Sequence, residues 1–210
     1  MLPRALVALL VCVGGASSAG AGAVALDQRM PQPAQVMRQR AETFAPYAFA
    51  DFCRRTPREC NPDSVKGHRM DLTPQRWHDL LEVNAIVNNT VIPRSDLEVY
   101  GVFDYWTIAG RYGDCEDYAL TKQLYLRDRG WPMSDLLITV VRDENREGHA
   151  ILTVRTTRGE FVLDNRQSQI VAWTEAPYTF VKRQADYDPK IWLALEAPEP
   201  SPDSGVATMK

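Results

Sequence analysis

The sequence predicts an α+β domain, with helices first and an antiparallel sheet after them. Three observations carry this. Residues 73–92 place Trp77, Leu80, Leu81, Asn84 and Val87 at helical spacing. A second helical stretch opens after Gly113 and is stopped at Gly130 and Pro132. From Leu136 onward, short runs of β-branched and aromatic residues alternate with polar turns.

The chain begins with a segment of another kind. Arg4 is followed by an apolar run over residues 5–15 and by small residues ending in Ala23-Val24-Ala25. This is the pattern of a secretory signal, and the run is shorter than the ~20 residues that a spanning helix needs. Residues 1–25 are therefore expected to be removed on export, with no stable membrane insertion afterwards. Removal takes Cys12 and one basic residue, leaving 23 basic against 27 acidic residues. A mildly acidic chain without a basic patch excludes nucleic acid as a partner.

Residues 26–69 are mixed and rich in proline and arginine, and read as a lead-in segment. Cys53 and Cys60 bracket a short loop, "RRTPRE", and an oxidising compartment favours a local disulfide between them. The main domain is expected over 70–195. Its first helix has Thr73 as N-cap and Pro74 as first residue, and ends at Pro93. Residues 94–113 look irregular, with Trp106 either filling the core or lining a cleft. In the second helix Tyr118, Ala119, Leu124 and Tyr125 fall near one face. Strands follow at 136–142, 149–156 and 160–165, with a turn near Thr157-Arg158-Gly159 and further strand material in "IVAW" and "YTFVKR". Residues 196–210 read as a disordered tail.

The chemistry centres on "RYGDCEDYAL", residues 111–120. Cys115 is the odd thiol of an exported chain, which calls for an explanation. It falls in the first turn of the second helix, where free N–H groups and the helix dipole favour a thiolate and offer donors to an oxyanion. Asp114, Glu116 and Asp117 oppose this, and a bound cation would neutralise them. Without a cation, Asp114 is a plausible N-cap, and Glu116 and Asp117 fit the acidic preference of a first turn.

A cysteine nucleophile needs a base, and a third group to orient that base. Of three histidines, His68 lies in a polar loop and His78 on the first helix; both read as surface residues. His149 opens a strand, and Asp164 ends the next one. If the two strands form a hairpin around "TTRG", Arg155 faces Glu160, and His149 and Asp164 become diagonal neighbours on one sheet face.

This set of "GDCEDYALTKQLYL", "GHAILTV" and "GEFVLDN", spread over roughly residues 70–185, resembles the bacterial transglutaminase-like cysteine peptidases, including the LapG-type periplasmic proteases. The resemblance implies a papain-like core. It implies Cys115 as nucleophile, His149 as general base and then acid, and Asp164 as the orienting carboxylate. It also implies a calcium ion at Asp114 and Glu116, with Asp117 as a third ligand. The substrate would be an exported or surface protein, an adhesin in biofilm control among them. An inner-membrane receptor would be the regulatory partner. The basic "CRRTPREC" loop departs from the LapG pattern.

Two other functions fit the same residues. A transglutaminase would resolve the acyl-enzyme with an amine. A non-catalytic exported binding module could retain the fold, although it would not require the full Cys/His/Asp set. A thiol–disulfide oxidoreductase is disfavoured, since the chain has no C-x-x-C.

Overall fold

A computed structural model of the chain describes residues 29–62 and 69–196. The expected signal segment, His68 and the expected tail from residue 197 lie outside the described residues. Among the described residues, no helix is long and apolar enough to cross a membrane.

The fold is α+β, as the pattern predicts. Helix α2 (Pro74–Thr90) starts at Thr73, whose hydroxyl accepts from the Arg76 N–H at 3.2 Å. Helix α4 (Cys115–Asp128) ends before Gly130, which takes φ 82°. That left-handed conformation favours glycine and stops the helix. Helix α4 packs between α2 and the sheet, so residues Glu116 to Gln123 are all buried. Leu120 and Leu126, rather than the exposed Tyr125, carry its apolar side inward.

Strands β4 (Leu136–Arg142), β5 (Gly148–Thr156) and β6 (Gly159–Leu163) form consecutive antiparallel pairs. Arg155 pairs with Glu160 and Leu152 with Leu163, the register expected from the "TTRG" turn. Strand β7 (Val171–Ala172) closes one edge. On the other side β8 (Thr179–Gln184) pairs with β4, with a register shift between Val140 and Val141. Irregularities of this kind often re-aim side chains beside a site.

The region before residue 70 differs from the expected lead-in. Strand β1 (Gln39–Thr43) pairs with β9 (Trp192–Leu195) and forms the far edge of a seven-stranded sheet ordered β1-β9-β8-β4-β5-β6-β7. All five β1 residues are exposed, so no apolar alternation marks the strand in sequence. Helix α1 (Tyr47–Arg55) sends Phe49 between Trp106 and Trp192, with ring centroids 5.4 and 5.3 Å away. The Cys53–Cys60 disulfide clips its end. Segment 39–60 is thus built into the same sheet and core as the rest.

Residues 94–113 are also more ordered than the sequence suggested. Short strands β2 (Ile92–Pro93) and β3 (Tyr112–Gly113) pair in parallel. Between them helix α3 (Asp96–Tyr100) starts with a Ser95–Glu98 capping box. This arch lies against the N-terminus of α4.

Candidate active site

The N-terminus of α4, the arch and the start of β5 enclose a cleft of about 270 Å³. Cys115, Glu116, Trp106 and Asp104 line one wall, His149 and Val140 the other. Trp106 is at once core and cleft. It is buried against Phe49 and Trp192, and its indole N–H donates to Asp104 Oδ1 at 2.9 Å.

On the sheet wall, His149 Nε2 lies 2.9 Å from Asp164 Oδ1. Burial alone would raise the Asp164 carboxyl. Hydrogen bonds from His149, the Arg166 N–H (3.0 Å) and the Tyr178 hydroxyl (2.5 Å) outweigh it and hold the carboxyl below its usual range. An ionised Asp164 can only accept, so Nε2 carries the ring proton and Nδ1 is left to accept one. Nδ1 is buried without a protein partner. His149 is thus a buried base with a fixed tautomer and a free lone pair, in the cleft that holds Cys115. Behind it, burial pushes the Lys122 amine down to about 7, with Asp164 pulling the other way.

On the helix wall, Cys115 is the free cysteine among the described residues and opens α4. Its thiol donates to Glu116 Oε2 at 3.1 Å. Burial, then the Glu116 and Asp114 carboxylates, push the thiol well above its usual range, and the Ala150 N–H acts against them. Burial, with the carboxylates adding to it, therefore disfavours the thiolate here. Burial drives Glu116 itself up to about 9 and Asp117 up to about 8, with Asp114 adding repulsion to both. Asp96 and Asp104 are raised as well, again chiefly by burial.

Asp114 occupies the N-cap position but its side chain makes no cap hydrogen bond. Its Oδ2 instead accepts from the Asp96 N–H at 3.2 Å. Asp117 Oδ1 accepts from the Thr107 N–H at 2.8 Å, and Asp96 Oδ2 accepts from the Tyr105 N–H. These bonds aim the second oxygens inward. Asp96 Oδ1, Asp114 Oδ1 and Asp117 Oδ2 are buried with no hydrogen-bond partner. One carboxylate oxygen from each of Asp96, Asp114 and Asp117 lies within 4.8 Å of the others, as does one from each of Asp96, Asp104 and Glu116. Leaving such oxygens orphaned is costly, and several of them around one point suit a hard cation of the calcium type. The residues present fit that group.

All three acidic residues named from the sequence lie in this cluster, and the structure adds two that sequence reasoning missed. Asp96 is shared by both triplets, and in sequence it looks like the ordinary first residue of a capped helix. Asp104 follows Phe103 in a loop with no motif. Tyr178 was also missed, in a segment legible only as strand material. His78 is half-buried on α2 and away from this cleft.

A family model for bacterial transglutaminase-like cysteine proteinases matches residues 39–200. The chain belongs to this family. The match also takes in β1 and α1, which the motifs alone do not reach. Among solved structures the chain is similar to calcium-bound Legionella pneumophila LapG, with 27% identity, 59% of this chain and 72% of that chain covered, and a TM-score of 0.48. It is likewise similar to EGTA-treated Legionella pneumophila LapG, at 27% identity over 56% of this chain and 66% of that chain, with a TM-score of 0.47. Among curated proteins no sequence match was found.

Proposed function

We infer that this member of the family is a periplasmic endopeptidase acting through Cys115, His149 and Asp164, with calcium in the carboxylate cluster. The observation that carries the reading is the state of His149: Nε2 committed to Asp164, Nδ1 free, and Cys115 in the same cleft.

The steps follow from these atoms. The Cys115 proton passes to His149 Nδ1 as Sγ bonds the peptide carbonyl carbon. The carbonyl oxygen takes the negative charge beside the N-terminus of α4, where helix N–H groups and dipole favour it. The C–N bond then breaks, and the leaving amine takes the proton from Nδ1. A water gives a proton to Nδ1 as its oxygen attacks the thioester carbon. The C–S bond breaks, and the sulfur recovers the proton. Asp164 stays ionised throughout and stabilises the imidazolium. Calcium, when held by Asp96, Asp114 and Asp117 with Asp104 and Glu116 alongside, supplies positive charge that offsets the carboxylates raising the thiol.

The substrate we propose is an exported surface protein of adhesin type, and the regulator an inner-membrane receptor. Both rest on the resemblance of the sequence motifs, as does export through residues 1–25. The experiment is cleavage of unfolded casein and of a random peptide library, with and without calcium, by the protein and by Cys115→Ala. Cleavage lost in Cys115→Ala, with the circular dichroism and melting curve retained, supports the reading. Cleavage surviving that change overturns it. Incorporation of a labelled primary amine in place of hydrolysis would move the assignment to a transglutaminase.

A further inference from the structure

His149 is not the only side chain that holds Asp164. Oδ1 accepts from His149 Nε2 and from the Arg166 backbone N–H, while Oδ2 accepts from the Tyr178 hydroxyl at 2.5 Å. The Tyr178 ring also lies against the His149 ring, with centroids 5.5 Å apart and planes tilted by 50°. One side chain thus touches both members of the pair.

The geometry has a consequence for the carboxylate. Asp164 is 2% exposed, so each oxygen needs a donor from the protein or an ordered water. With Oδ1 alone engaged, the carboxylate could turn about its Cβ–Cγ bond and carry the His149 contact with it. A donor on Oδ2 removes that freedom. Tyr178 is well placed to be a fixed donor. Its own N–H bonds the Ala176 carbonyl at 2.8 Å, and the next residue, Thr179, begins β8 in register with Arg142. Packing alone would be served by phenylalanine, without an O–H aimed at a carboxylate.

We propose that Tyr178 is a positioning residue of this site: its hydroxyl locks the carboxylate plane of Asp164, and through it the Nε2–H tautomer and ring orientation of His149. The inference rests on the roles assigned above to His149 and Asp164. Tyr178 touches neither the sulfur nor, in this reading, the substrate.

The test is nitrogen-15 NMR of the histidine side chains in the purified protein, labelled at histidine, in the presence of calcium. His149→Ala identifies the His149 signals. The unaltered protein should show the Nε2–H form with a slowly exchanging proton, and Asp164→Asn should abolish that pattern. Tyr178→Phe should mix the tautomers and speed exchange by up to about tenfold, the worth of one hydrogen bond. It should add nothing in an Asp164→Asn background. An unchanged tautomer and exchange rate in Tyr178→Phe overturns the inference. So does a Tyr178→Phe effect that adds in full to Asp164→Asn, since the hydroxyl would then act by another route. If Tyr178→Phe does not fold, the unaltered protein still decides. The hydroxyl proton should then exchange slowly and show proximity to the His149 ring, and its absence overturns the inference. No step needs a substrate. A protein that shows this coupling but cleaves nothing fails the peptidase reading alone. Intact cleavage with an unmoved His149 fails this inference alone.

Discussion

The two walls of the cleft handle buried charge in opposite ways. On the sheet wall Asp164 is deeply buried, yet both oxygens are satisfied by donors of the chain and its carboxyl stays below the usual range. On the helix wall Asp96, Asp114 and Asp117 each satisfy one oxygen and leave the other orphaned, and Asp117 is driven up to about 8. The Asp164 carboxylate is complete as the chain makes it. The helix wall is complete only with protons or a cation. Preorganisation thus sits on one side of the cleft and the proposed metal site on the other, and each should break without touching the other.

The largest effect should come from breaking the sheet wall at its centre. Asp164→Asn keeps the shape but can present an N–H to His149, which turns the tautomer. On a peptide that the unaltered protein cleaves, kcat/KM should fall by about 10³–10⁴, the scale of such a change in a Ser-His-Asp triad. Calcium-dependent melting should be untouched. A calcium response lost along with activity would mean that the walls are not independent.

The helix wall should respond to the cation in stability. Calcium at 100 times its Kd should add about 2.7 kcal/mol, which is about 5–10 °C in Tm for a domain of this size. Asp117→Asn should abolish that increment while leaving the calcium-free protein about as stable near pH 7, because an amide of the same shape replaces a carboxyl that burial already keeps mostly protonated there. Scanning calorimetry with calcium and with EGTA checks both signs. A calcium increment that survives Asp117→Asn would remove this residue from the ligand set.

These two walls were not equally legible in the sequence. The His149–Asp164 pair lies within one hairpin whose turn sets its register, so the two could be placed together from "TTRG" and the alternation around it. Helix α4 announced itself through Gly113, Gly130 and Pro132. Asp96 and Asp104 reach the helix wall across a long arch. Their local signals, a capping box and a loop aromatic, describe only their immediate neighbours. Tyr178 meets Asp164 through the β8 pairing, which no local pattern fixes. Strand β1 was hidden for a simpler reason: an exposed edge strand buries nothing that could mark it.

The pH dependence sharpens the contrast. Glu116 at about 9 and Asp117 at about 8 lie above their unfolded values of about 4. Groups raised in this way give stability that is full below the unfolded pKa and is lost as pH rises through the folded one. The calcium-free protein should therefore melt lower at pH 9 than at pH 6. Calcium held at this cluster would displace these protons, so its binding should release protons near pH 7 and strengthen as pH rises. Calorimetric titration in two buffers of different ionisation enthalpy measures the release. A proton count of zero would mean that both carboxyls are already ionised without the metal.

The smallest effect should come from a residue that shapes the helix wall without carrying charge. A Cβ at Gly113 would stand 2.8 Å from Asp117 Cβ and 2.9 Å from its Oδ2. Both distances are too short, and Oδ2 is one of the orphaned oxygens aimed into the cluster. Gly113→Ala must therefore push the start of α4 away from β3, at about 1–3 kcal/mol for overpacking of this kind. The displacement falls on a candidate ligand, so calcium affinity should weaken along with stability. The His149 tautomer on the opposite wall should stay as it was. Equal loss of Tm with and without calcium would mean that the cluster absorbs the shift, and that Asp117 Oδ2 is not among the oxygens that hold the ion.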